Sequence, residues 1–541
     1  MRLEKKNIHM NKIVKRETVI FFVSREERIM DADNEIENII NQKEIVTTDS
    51  VVTRENQITV NGTINYNILY YPKNSEMVCG EEKEINFEEN IKLMGINSED
   101  NANVAMEVLS SSIKPVDGKN YIYRIQLKAY IIVEKIEDLD IATAIDTDSQ
   151  EENYENNFAI INIGSSNQFY AVNIMTKKRN IDSLAIMADK TDTFRVSEQI
   201  AVPHGKPPIG TIVWSDIRIK NQNIKTMEGS IIINGQLSIF IIYIPEMENM
   251  PEQWLEQTID FNGQLEMSEA TEDAVSYIEL WLNNVNVQPE INQDNEMRNL
   301  SVSALLKLNV KLYKETSINV IEDVYKPGAN LVPVMEPKSY QKLLVKNAST
   351  KEVVKMKIDK TKGQLLQICN SQAEIKIENI LVRDNSLKAI GKIKTCIIYI
   401  SSDDRHPICC QCRESNFEHG IDAEGIEVND EYFLNWKVEQ VNANMLNADE
   451  VEIKAVIALE AIVFKKVEQN FVTEINQEPV DMEALNNAPV LKGYIVQKGD
   501  TLWKLAKENY TTIEKIMTVN NLENETIKKG DRLLIIKSCQ A

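Results

Sequence analysis

The chain has 541 residues, of which 43% are hydrophobic, and a formal net charge of −23. That length holds roughly three to five domains of about 100–200 residues, and the apolar fraction is enough to fill several cores. The acidic balance disfavours nucleic acid and anionic membranes, leaving proteins or neutral glycans as partners.

At the amino end the basic stretch from Met1 to Arg16 is followed by the short apolar run Val19-Ile20-Phe21-Phe22-Val23. A signal peptide needs an apolar core of about 7–15 residues and a membrane span about 20, so this run is expected to be a buried strand. The same reasoning predicts a protein made and kept in the cytosol, without membrane insertion. Seven cysteines in a large chain do not make a secreted disulfide scaffold; reduced thiols are expected, with later cross-linking open.

One stretch recurs three times. Val60-Asn61-Gly62-Thr63-Ile64-Asn65-Tyr66-Asn67-Ile68-Leu69-Tyr70 is echoed by Ile233 to Tyr243 and by Ala389 to Tyr399, with a glycine and a tyrosine (Gly62/Tyr70, Gly235/Tyr243, Gly391/Tyr399) at one fixed interval. Alternation puts Ile64, Tyr66, Ile68 and Tyr70 on one face of a strand. Leu237, Ile239, Ile241 and Tyr243 match them, as do Ile393, Thr395, Ile397 and Tyr399. Around each copy further runs recur: Ile85-Asn86-Phe87, Ile259-Asp260-Phe261 and Ser415-Asn416-Phe417 follow it, and Tyr121–Glu134, Leu300–Leu312 and Val451–Phe464 close each unit. Lys114 to Lys119, with its Pro and Asp-Gly, reads as a hairpin turn before the first of these closing runs. Trp254 and Trp281 sit in apolar alternation and read as core or rim. The chain therefore divides into β-rich units at 1–145, 191–330 and 345–475. An acidic, asparagine-rich linker or insert occupies 146–190, where Asp146-Thr147-Asp148 reads as solvated charge, and a second linker occupies 476–492.

Residues 493–538 differ. A strand and a Gly-Asp turn lead to a helix that Asp500 can cap, with Leu502, Leu505 and Ala506 inward. Thr511-Thr512-Ile513-Glu514 has the capping-box pattern for a second helix, Asn520-Asn521 stops it, and Gly530 to Ile536 closes with a strand. This βααβ segment resembles the LysM family in Tyr494, Val496, Gly499, Asp500, Thr501, Leu502, Leu505, Ala506, Asn520, Gly530 and Leu533. The resemblance implies N-acetylglucosamine-polymer binding in a shallow groove lined by Gly499, Asp500, Thr501, Leu502, Asn521, Leu522 and Glu523. Trp503, beside the buried stripe, is either a half-buried core ring or an aromatic anchor for a partner.

Three such β-rich units followed by LysM resemble the SPOCS repeats of SipL-like proteins, which take part in coat assembly in endospore-forming clostridia. The resemblance implies a mainly β architecture of three tandem repeats plus a small α+β domain. It also implies a non-enzymatic scaffold in the mother-cell cytoplasm at the forespore surface, with LysM docking to the coat morphogenetic ATPase beside other coat proteins. The linker is then expected to act as a flexible tether. Two rival readings follow from the residues: a peptidoglycan or cortex-glycan binder, and a cell-wall hydrolase with an unrecognised catalytic domain.

His406, Cys409, Cys412 and His419 include a Cys-x-x-Cys pair and could be drawn around zinc. Their spacing is irregular and the other units have no counterpart, so loop thiols without a metal are expected; a redox role would need a helix start rather than a β–β loop. The nucleotide, zinc-protease and serine-hydrolase motifs are missing from the sequence. No catalytic residue and no cofactor is expected.

Overall fold

The structure is a computed structural model. It describes residues 1–29, 35–73, 75–117, 119–146, 158–162, 167–171, 173–247, 250–358 and 363–538. Thr147 and Asp148 of the expected linker lie outside this set.

Each unit is a six-stranded antiparallel sandwich with one wiring. In the first, β1 (Leu3–Arg28) is followed by the meander β2 (Ile36–Arg54), β3 (Gln57–Pro72) and β4 (Cys79–Lys92), then by the hairpin β5 (Asn101–Pro115) and β6 (Asn120–Ile145). The sheets are β2-β3-β4 and β1-β6-β5. After the short hairpin β7 (Phe158–Asn162) and β8 (Asn167–Ala171), the second unit repeats the scheme. It runs through β9 (Met175–Ala201), β10 (Ile209–Met227), β11 (Ser230–Pro245), β12 (Gln253–Glu266), β13 (Val275–Glu290) and β14 (Asn299–Tyr325). The third uses β15 (Asn330–Lys357), β16 (Leu365–Arg383), β17 (Ser386–Ser401), β18 (Ile408–Asp422), β19 (Glu431–Asn447) and β20 (Glu450–Glu478).

The recurring stretch is the central strand of each meander: β3, β11 or β17. Its predicted face is buried in all three, with Ile64, Tyr66, Leu237, Ile241, Thr395 and Tyr399 each at most 1% exposed. The glycine has a steric reason. Gly62 pairs with Phe87, Gly235 with Phe261 and Gly391 with Phe417 across the ladder. A Cβ at Gly62 or Gly235 would lie 2.5 Å from the facing phenylalanine ring, and one at Gly391 would lie 2.0 Å from the Lys376 carbonyl oxygen. At Gly62 and Gly235 the missing side chain is the space the ring fills.

Strand pairing moves two expected boundaries. Residues 146–190, read as linker, contain the β7–β8 hairpin and the first half of β9, which runs unbroken to pair with β14 as far as Met175↔Tyr325. The third unit begins at Asn330, paired with Glu478. Alternating polar residues along these outer strand ends hid them, because they pack between units rather than inside one.

The three units close on one another. Leu69 and Tyr71, Phe240 and Ile242, and Ile398 with Cys410 bring the outer faces of the three meanders into one apolar cluster. The long ribbon ends meet in others, where Leu139 and Ile141, Ile181 with Val320, and Tyr340 with Phe471 pack together. Between these contacts lies a chamber of about 790 Å³ walled by all three units. No helix among the described residues is long and apolar enough to cross a membrane.

Candidate functional site

The C-terminal domain is built on the two-stranded ribbon β21 (Leu491–Ile495) and β22 (Arg532–Ile536), with helices α2 (Leu502–Glu508) and α3 (Ile513–Asn520) between them. Val496, Leu502, Leu505, Ala506, Ile516, Leu533 and Ile535 form its core. The helix starts fall one residue later than expected. Thr501, not Asp500, caps α2 by accepting from the Lys504 amide, and Thr512, not Thr511, caps α3 by accepting from Lys515. Thr511 is instead buried against the Ser538 hydroxyl at 3.0 Å.

Asp500 closes the preceding turn: its Oδ2 accepts from the Gln497 amide and from the Tyr494 hydroxyl, each at 2.8 Å. The Gln497 amide, followed by Tyr494, holds the Asp500 carboxyl below its usual range, and the same bond raises the Tyr494 hydroxyl. Asn520 works as a substitute backbone: its side chain accepts from Leu534 N at 2.7 Å and donates to Leu534 O at 2.8 Å, pinning α3 to β22.

Two loops leave the same end of the ribbon. Val496 N donates to Asp531 O, and Gly530 N to Val496 O, each at 2.9 Å. Gly499 and Gly530 have φ of +93° and +99°, which favours glycine at both turns. Of the groove residues expected from sequence, Gly499, Thr501, Asn521 and Glu523 are exposed, Asp500 and Leu522 are half-buried, and Leu502 is core. Leu502 therefore supports the loop from beneath.

Trp503 points elsewhere. Its Nε1 donates to Asp323 Oδ2 at 2.8 Å, and Lys507 Nζ donates to Asp323 Oδ1 at 2.7 Å. The indole meets the Tyr325 ring edge-on, with centroids 4.8 Å apart, and Tyr325 belongs to the domain's own apolar cluster. Asp323 and Tyr325 end the β9–β14 ribbon of the second unit. The domain is thus seated on that ribbon by one face of α2, leaving its loops outward. The expected flexible tether is replaced by structure: residues 476–492 contain the end of β20, helix α1 (Met482–Asn487) capped by Asp481, and the start of β21. Buried Leu485 of α1 offers its carbonyl to Lys537.

The structure does not gather His406, Cys409, Cys412 and His419 into one cluster. It lies in strand β18, not a loop, so Cys409 and Cys412, three apart, face opposite sides. Cys412 is disulfide-bonded to Cys396 directly across the ladder, correcting the expectation of reduced thiols. Cys409 Sγ lies 3.7 Å from the His406 carbonyl. Among the described residues no group of three or more His, Cys, Asp and Glu is placed to hold a metal ion.

The chamber between the units was not foreseen. Trp281, read as core or rim, lines it with Trp436, Tyr130 and Tyr277. Its cations are already engaged: Lys128 Nζ donates to Ile377 O at 2.9 Å, Lys307 Nζ to Thr48 O at 3.2 Å, and Lys311 pairs with Glu134. Burial raises the Glu107 and Glu279 carboxyls above their usual range. The chamber reads as the polar seam that holds the units in register.

Comparison with known proteins agrees with this division. A family model for the SipL SPOCS domain matches residues 35–116, 208–290 and 364–446, which in each unit covers the meander and the first strand of the hairpin. A LysM domain model matches residues 494–535. Comparison with the curated proteins and with the solved structures finds no match. Both kinds of domain are non-catalytic binding types. By three SPOCS domains in tandem and a LysM domain at the C-terminal end, this chain belongs to the SipL-like proteins.

Proposed function

We propose that the protein is a non-enzymatic scaffold of endospore coat assembly, acting in the mother-cell cytoplasm at the forespore surface. In this reading LysM docks to the coat morphogenetic ATPase and the SPOCS body contacts other coat proteins. The observation that carries it is the seating of LysM: α2 is fixed on the second unit while Gly499, Thr501, Asn521 and Glu523 face outward from a rigid platform. A presented, oriented loop face suits a protein that holds a partner at a set place. LysM and SPOCS domains together fit a sporulation coat protein with peptidoglycan-binding capacity, and the exposed loops favour glycan as the second reading.

The test is retention of the full chain on immobilised coat ATPase and on insoluble peptidoglycan, with Thr501→Lys/Asn521→Lys as the loop-face variant. Retention by the ATPase that the variant loses supports docking through these loops. Retention by peptidoglycan alone, lost in the same variant, replaces docking with wall recognition. Retention unchanged in the variant would place the contact on another face.

A further inference from the structure

The first strand carries an apolar edge that its counterpart in the second unit lacks. β1 is an edge strand: in the order β1-β6-β5 its far side pairs with no strand among the described residues. Its middle, Thr18-Val19-Ile20-Phe21-Phe22-Val23-Ser24, has no charge and no proline, the usual devices that blunt an open edge. Phe21 and Val23 are buried in the sandwich, but Ile20 and Phe22 on the other face are 50% and 63% exposed. The second unit shows that this is not required by the fold. Phe194 takes the place of Phe21, each ring 5.8 Å from the matching phenylalanine (Phe261 and Phe87), and its neighbours are Thr193 and Arg195 instead of Ile20 and Phe22.

The charges flanking that apolar centre read as their own complement. When β1 is laid antiparallel to β1 of a second copy, with Phe21 opposite Phe21, Val19 faces Val23, Ile20 faces Phe22 and Thr18 faces Ser24. Beyond them Glu17 faces Arg25, Arg16 faces Glu26 and Lys15 faces Glu27. Every charged pair is attractive, and twofold symmetry makes each occur twice. Neighbouring registers lose this. A slip one way sets Lys15 against Arg25; a slip the other way sets Glu17 against Glu27 and Arg16 against Arg28. A shift by a single residue turns Ile20 and Phe22 to opposite faces of the joined sheet.

We propose that this protein forms a twofold dimer by antiparallel pairing of β1 with β1 centred on Phe21. The two three-stranded sheets join into one of six, in the order β5-β6-β1-β1-β6-β5. Main-chain hydrogen bonds supply the attraction, Ile20 and Phe22 are covered by each other's counterparts, and the charge pattern fixes the register. Arg16 is already bonded to the Tyr432 carbonyl, so the Glu17–Arg25 pair is the better probe. Within one chain these two residues are eight apart along an extended strand and do not meet.

The experiment is sedimentation velocity of the full chain at tens of micromolar, wild type beside Glu17→Arg, Arg25→Glu and the double exchange. Wild type is expected at twice the 61.8 kDa chain mass. Each single change opposes like charges at both symmetric sites and weakens the dimer by roughly tenfold or more. The double exchange restores dimerisation, and so does an equimolar mixture of the two single variants, whose charges complement only across a mixed pair. A monomeric wild type, or single variants that dimerise as well as it does, would overturn the proposal. Rescue in the mixture distinguishes pairing from misfolding, because two damaged chains do not repair each other.

Discussion

The interiors of the three sandwiches and the seam between them are made of different materials. Inside a sandwich, aliphatic and aromatic side chains interdigitate across a gap set by the sheets, and polar atoms are few, Tyr66 and Tyr121 meeting hydroxyl to hydroxyl at 3.1 Å. At the seam, apolar patches alternate with buried ions: Lys311 with Glu134 and Asp189, and Lys43 and Arg218 with Asp216. A sandwich gains by removing area from water, roughly 25 cal/mol for each Å² of apolar surface. Buried ion pairs return little net stability but penalise every misaligned arrangement that leaves a charge alone. The sandwiches therefore account for most of the stability, and the seam for the relative placement of the units.

This contrast can be tested from its strongest term downward. Ile239→Ala empties a fully buried site in the second sandwich and should cost about 2–5 kcal/mol in urea unfolding. Glu134→Ala should cost about 3 kcal/mol by leaving buried Lys311 with Asp189 alone and Asn11 and Asn103 without their acceptor, whereas Glu134→Leu with Lys311→Met should return most of that loss. If the double variant is as unstable as the single one, the seam contributes net stability and the contrast fails.

Asp216 gives the seam a pH signature. Burial pushes its carboxyl up, but Arg218 and Lys43 outweigh that and leave it below the usual value. A depressed carboxylate stabilises the fold above its unfolded pKa of about 4, and that stability is lost as pH falls through the folded value. Wild type should thus lose more stability below about pH 4 than Asp216→Asn; parallel curves would remove Asp216 from the account. The smallest effect is expected at the LysM seat. Asp323→Ala removes the acceptor of both Trp503 and Lys507 and should cost about 1 kcal/mol, read as faster hydrogen exchange in α2 with the sandwiches unchanged.

How much of this was legible depends on how far apart the partners lie in sequence. The signature strands could be read because alternation within one strand reports one buried face, and Phe87, Phe261 and Phe417 follow their glycines by 25 or 26 residues. The LysM domain could be read because its contacts are local, although its caps were misplaced by one residue where two candidate side chains adjoin. Trp281 could not be placed, since two of the rings that share its chamber, Tyr130 and Trp436, come from other units. The same holds for Trp503, whose partners Asp323 and Tyr325 lie in the second unit. The disulfide was within reach: the register that sets Gly391 opposite Phe417 also sets Cys396 opposite Cys412. Reading the cysteines by their spacing along the chain, rather than across the hairpin, concealed it.

The amino group of Met1 donates to the carbonyl of Ile475 at 3.3 Å, a bond spanning 474 residues. The first strand of the first unit thus abuts the last strand of the third. A growing chain emerging at about 5–20 residues per second completes its first sandwich at β6 but closes this circle only after β20 has appeared. For about tens of seconds the first two units hold open the surfaces that will meet the third, although the ion pairs between them, Lys311 with Glu134 and Lys43 with Asp216, can already form. The polar groups that reach into the third unit, such as Lys128 toward the Ile377 carbonyl, then have a second consequence: they keep that face hydrated while the chain waits for its last strands.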